Sequence, residues 1–142
     1  MRRLAWTVLA LAMGACGTPP NLVGGGAGGG EVVFPTVSFS RRVQPIFAAR
    51  CFGCHIGRAD GGLDLSLGKS YQNLVNVPSK CDPSWMRVKP GEEQRSLLVS
   101  SLTTSRYDCV RAMPPGGDGL LSEHPFDYET IRLWVEQGAP NN

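Results

Sequence analysis

The chain has no apolar run long enough to cross a bilayer. Its longest, Leu4 to Met13, is about half of the ~20 residues a spanning helix needs. It has no marked excess of charge: 14 Lys and Arg stand against 12 Asp and Glu. Two of those basic residues, Arg2 and Arg3, precede the apolar run, so the remainder carries 12 of each sign. That balance lacks the basic footprint of a nucleic-acid binder. Strand signals are weak and no internal repeat is present, so the expected class is all-α. No nucleophile-elbow motif marks a Ser/His/Asp hydrolase. No βαβ setting surrounds the C-x-x-C to suggest thioredoxin-like redox chemistry.

The start of the chain has export features. Met1-Arg2-Arg3 gives a basic opening, the apolar run follows, and small residues lead to Cys16. This pattern reads as a signal peptide over residues 1–15. Met13-Gly14-Ala15-Cys16 resembles a bacterial lipobox, in which the chain is cut before the cysteine and Cys16 carries the lipid. Gly17 is not the Asp that retains lipoproteins at the inner membrane in some bacteria, which favours the outer membrane. Residues 16–37 then form a linker, with the glycine-rich run Gly24-Gly25-Gly26-Ala27-Gly28-Gly29-Gly30 at its centre. About 20 such residues give a reach of roughly 25 Å, enough for a folded domain to swing on its anchor.

The chemistry concentrates in Cys51-Phe52-Gly53-Cys54-His55. C-x-x-C-H is the attachment sequence for c-type haem. Two thiols three positions apart can each add to a vinyl group of one porphyrin, and the adjoining imidazole then serves as proximal iron ligand. Haem of this type is attached outside the cytoplasm, a condition the signal peptide meets.

Cysteine bookkeeping is consistent with this. Five cysteines leave one unmatched, a liability in an oxidising compartment. If Cys16 takes lipid and Cys51 and Cys54 take haem, Cys81 and Cys109 remain to pair. Closing that loop stabilises by ~3–4 kcal/mol in the chain-entropy model. The alternatives are two reduced buried cysteines, or a metal site; Cys51, Cys54, Cys81 and Cys109 could together hold zinc. Their spacing is unlike paired C-x-x-C knuckles, and export disfavours free thiolates.

Residues 38–142 make one domain by length. Helical periodicity predicts a first helix over 40–51, capped by Ser38 or Ser40, with Pro45 in its first turn and Val43, Ile46, Phe47 and Arg50 at helical spacing. A second is expected over 66–75, opened by Ser66, with Leu67, Tyr71, Leu74 and Val75 on one face. A third spans 92–102 through Leu97, Leu98 and Leu102. The last covers 125–137, with Phe126, Ile131, Trp134 and Val135 as its stripe and Gly138 at the left-handed C′ position.

A helix leading into C-x-x-C-H, a loop-rich middle, a methionine before prolines and a closing helix together resemble a small class I-like cytochrome c. Finer features are similar to the planctomycete-type single-haem cytochrome c domains. These are Val43-Gln44-Pro45-Ile46-Phe47 before the motif and Gly62-Leu63-Asp64-Leu65 after it. Pro90-Gly91, Ser96-Leu97-Leu98, Met113-Pro114-Pro115-Gly116 and Ile131 through Ala139 continue the match. The segments 78–88 and 99–111 carry the extra cysteines and look like elaborations that could cover a haem edge or form a docking surface.

The resemblance implies one covalent haem c, His55 as proximal ligand and Met113 as distal ligand. A thioether is a soft ligand that favours ferrous iron and raises the reduction potential. Met86 and His124 are the other candidate distal ligands. Trp85, Arg87, Trp134 and Tyr71 are candidates to touch the haem or its propionates, with core packing the simpler role for Trp134. The function implied is a membrane-anchored, monomeric one-electron carrier, not an enzyme. It would face the periplasm or cell surface and exchange electrons with redox-protein partners. A peroxidase-like or ligand-binding haem with an open distal site is the enzymatic alternative. A haem subunit docked on a larger redox complex is the third reading.

Overall fold

A computed structural model describes residues 34–103 and 110–142. The signal peptide, Cys16, the glycine run and Cys109 lie outside these described residues. From Phe34 to Asn142 the chain forms one compact unit. It is all-α: six short helices and connecting loops, with only isolated bridges and no strand among the described residues.

Ser38 is the cap of the first helical stretch, its hydroxyl accepting from the Arg41 N–H at 3.3 Å. The stretch opens as a π-helical turn over Phe39–Val43 and continues as α1, Gln44–Arg50, with Pro45 in the first turn. Pro45, which lacks an N–H, stands at the junction where the π turn gives way to α1. The chain breaks at Cys51 (φ −114°, ψ 1°) and resumes as α2, Phe52–His55. Val43, Ile46 and Phe47 are buried as the periodicity predicts, whereas Arg50 is turned out to an ion pair with Asp127 at 2.9 Å.

The second helix is shorter than its expected span. α3 covers Ser70–Leu74 only. Ser66 does not cap it: its hydroxyl and N–H both turn to the Asp64 carboxylate, forming a turn in place of a first helical turn. Leu67 is therefore left 82 % exposed, off the apolar face assigned to it. The third helix is split. Ser96 takes extended φ/ψ, accepts from the Lys89 N–H and donates to the Glu92 carbonyl. This separates a 3-10 turn over Glu93–Arg95 from α4, Leu97–Ser101. A short helix that the periodicity did not indicate, α5 over Leu120–Glu123, precedes α6, Pro125–Glu136. Phe126 is 88 % exposed, so the buried stripe of α6 begins only at Ile131.

α6 ends as expected. Gly138 has φ 90°, its N–H donates to the Val135 carbonyl, and the Ala139 N–H donates to Trp134, a Schellman closure. The core gathers along α1 and α6, where Phe39 packs on Trp134 (ring centroids 5.1 Å) and Tyr71 (5.2 Å). The two ends of the domain are tied together. Asn142 accepts from the N–H groups of Phe39 and Ser40, and the Val37 N–H donates to Gln137. Ordered packing thus reaches back to Val37, which the sequence places in the linker.

Candidate functional site

α2 carries the Cys51–His55 motif as a single turn, closed by the His55 N–H donating to the Cys51 carbonyl at 2.9 Å. Cys51 and Cys54 are both free thiols. Burial, followed by the neighbouring Cys54, pushes the Cys51 thiol up to about 11, so it is neutral at physiological pH.

His55 is fixed by the segment that follows the motif. Its carbonyl accepts from the Leu65 N–H at 2.7 Å, and its ring Nδ1 lies 3.2 Å from the Leu63 carbonyl. A carbonyl can only accept, so Nδ1 carries the proton and Nε2 is the nitrogen available to a metal. The intervening loop returns through left-handed conformations at Gly57, Ala59, Gly61 and Gly62. Three side chains hold the returning strand of chain: Arg87 donates to the Gly62 carbonyl, Asn73 to Asp64 and Gln44 to Leu65.

Met113 is held from both sides. Its N–H donates to the Ser101 carbonyl at the end of α4 (2.7 Å), and its carbonyl accepts from the Leu120 N–H at the start of α5 (2.8 Å). The Met113–Pro114 bond is cis. Gly119, at φ 90°, permits the approach of α5: a Cβ there would lie 2.7 Å from the Thr103 carbonyl oxygen and 2.8 Å from that of Leu102.

His55 and Met113 border the same two cavities. One, of about 240 Å³, is lined also by Cys51, Cys54, Pro114 and Leu120. The other, of about 380 Å³, has Leu63, Leu97, Leu98 and Val110 as apolar walls and Lys80, Arg87 and Asp60 as charged ones. The smaller cavity thus presents thiols, the larger two cations and a carboxylate, and an imidazole and a thioether border both. No ion pair joins Arg87 or Lys80 to a carboxylate among the described residues. Burial pulls the Arg87 guanidinium down from its ordinary value, and it still spends two hydrogen bonds on the carbonyls of Asn73 and Gly62. The larger cavity falls within the size range of small-molecule and cofactor sites.

No family model matches the chain, and neither does any curated protein or solved structure. The donor set itself has to carry the argument. Two free thiols, one imidazole with a defined tautomer, one thioether on a backbone held from both sides, apolar walls and two cations are groups that could hold a covalently attached haem. They fit it.

The other sequence candidates sit elsewhere. Trp85 and Met86 line a separate cavity of about 280 Å³ with Lys89 and Arg95. Trp134 is fully buried, its indole N–H donating to the Pro140 carbonyl, and the Tyr71 hydroxyl donates to Ala139. His124 links α5 to α6 and borders neither of the two cavities that His55 lines. Cys81 is disulfide-bonded, and Cys51 and Cys54 are free, so its partner lies outside the described residues, as does the expected Cys109. A bonded Cys81 cannot supply a thiolate to a four-cysteine zinc centre. Gln44 and Asn73 were not singled out by sequence as site residues. A polar residue on the buried face of α1 was the available signal.

Proposed function

We propose that this chain is a single-haem c-type cytochrome that carries one electron at a time between redox proteins. The observation that supports it most is that His55 and Met113 border the same two cavities, one of them lined also by Cys51 and Cys54. Haem bound there supplies an iron that cycles between ferric and ferrous states. Everything else is done by the chain. Cys51 and Cys54 would hold the haem covalently, each adding its S–H across one vinyl group. His55 presents Nε2, and the Leu63 carbonyl on Nδ1–H raises its basicity. Met113 offers a soft sulfur that favours the ferrous state. Its two backbone hydrogen bonds and the prolines after it hold the stretch of backbone that carries that sulfur.

The apolar walls would suit the ring, and Arg87 and Lys80 would suit its carboxylates. His55 and Met113 would together hold the iron from the protein, leaving no open position for a substrate. That favours a carrier over a peroxidase-like enzyme. The signal pattern and Cys16 complete the proposal: export, a lipid anchor favouring the outer membrane, and a monomeric domain at the end of a glycine-rich tether.

The test is an optical spectrum of the full chain expressed with a haem-attachment system, oxidised and reduced, alongside Met113→Ala. The expected result is a low-spin covalent haem whose sulfur-to-iron charge-transfer band disappears in the variant. A high-spin wild type would move the enzyme reading forward, and absence of covalent haem would end the proposal.

A further inference from the structure

Gln44 is an uncharged polar side chain, 6 % exposed, on the core-facing side of α1. Residues of its kind are mostly exposed, and burying a carboxamide is costly unless both its ends are satisfied. Both are. Its Nε2 donates to the Leu65 carbonyl at 3.0 Å, and its Oε1 accepts from the hydroxyl of Ser70, itself 1 % exposed. The amide orientation is forced by this pairing, because the Leu65 carbonyl can only accept. Leu65 is the residue whose N–H holds the His55 carbonyl, and it lies two positions after the carbonyl that takes the His55 Nδ1–H.

We infer that Gln44 is a positioning residue for His55, setting the strength of the Leu63 carbonyl bond to Nδ1 by fixing the 63–65 segment. The inference rests on the haem reading of the cleft. Its chemistry is specific. A firm acceptor on Nδ1 makes the imidazole a stronger donor through Nε2, which favours the ferric state. Releasing residues 63–65 weakens that acceptor and shifts the balance towards the ferrous state. Ser70 contributes by orienting the carboxamide, so α1 and α3 both brace the ligand without touching it.

The experiment is a redox titration of the full haem-loaded chain, comparing wild type with Gln44→Leu and Ile46→Val. Gln44→Leu removes both hydrogen bonds at similar volume. Ile46→Val trims the buried face of the same helix without touching the polar chain. The Gln44 variant should shift the ferric–ferrous equilibrium several-fold towards ferrous, where each tenfold is ~59 mV for one electron. Its His55 Nδ1 proton should also exchange faster. Ile46→Val should lower the melting temperature and leave both readouts unchanged. An unmoved midpoint in Gln44→Leu, or an equal shift in Ile46→Val, overturns the positioning role. If Gln44→Leu does not accumulate, Ser70→Ala should shift the midpoint in the same direction by less, and no shift there overturns it too. Absence of covalent haem in the wild type overturns the cleft reading and this inference together. Haem present with an unmoved midpoint overturns this inference alone.

Discussion

The ring Nδ1 of His55 lies 3.2 Å from the carbonyl oxygen of Leu63, eight residues on in the chain. That contact selects one tautomer of the imidazole and leaves Nε2 as its only basic nitrogen. It exists because the loop between the two residues doubles back through four left-handed positions, one of which is not glycine.

That exception gives a first prediction. Ala59 has φ 51°, a conformation in which a Cβ crowds the backbone at a cost of roughly 1–2 kcal/mol. Part of the relief in Ala59→Gly is offset by the greater freedom of glycine in the unfolded chain. A net gain of up to ~1 kcal/mol is expected in denaturant unfolding, with the cleft unchanged. A loss of stability would mean that the loop is not held in this form.

Gly119 should behave in the opposite way. Its φ of 90° and the 2.7–2.8 Å approach of two backbone carbonyls leave no space for a Cβ. Gly119→Ala must push α5 away from the end of α4, loosening the N–H of Leu120 from Met113. Destabilisation above ~1 kcal/mol is expected. A haem-loaded variant should also lose part of its low-spin character on warming before the wild type does. An unaltered melting curve would contradict the packing described.

Asp64 supplies a pH dependence. The Ser66 hydroxyl and N–H, and then Lys69, hold its carboxyl at about 2, against an ordinary 3.8. A depressed carboxyl stabilises the folded state above its unfolded pKa, and that contribution is lost as pH falls through the folded one. Wild type should therefore lose stability between about pH 4 and pH 2 more steeply than Asp64→Ala. Parallel curves over that window would remove Asp64 from the acid response.

Arg132 joins α6 to the 3-10 turn at Glu93 and also meets Glu129 and Glu136. Glu129, and after it Glu93, hold its guanidinium charged well beyond its ordinary range. Exposed pairs are each worth less than ~1 kcal/mol, but here one cation offsets three carboxylates. Arg132→Met should cost about 1 kcal/mol at low salt and less at high salt, read from melting temperatures. A salt-independent loss would point to packing by the side-chain stem instead.

The sequence by itself determined what is local. The all-α class, the cap at Ser38, Pro45 in a first turn and Gly138 at the end of α6 each depend on a few neighbouring residues. So does the spacing that sets Cys51, Cys54 and His55 on one turn. Tertiary structure decided the rest, because burial depends on partners far away in the chain. Leu67 and Phe126 fit helical stripes but meet no core, since the Asp64–Ser66 turn and the start of α6 point them outward. The resemblance implies Met113 as the partner of His55, with Met86 and His124 as the other candidates. Only the hydrogen bonds of Met113 to Ser101 and Leu120 bring that one to the cleft, while Met86 and Trp85 are carried to another cavity. The part of Gln44 depends on Leu65 and Ser70 arriving from elsewhere in the chain.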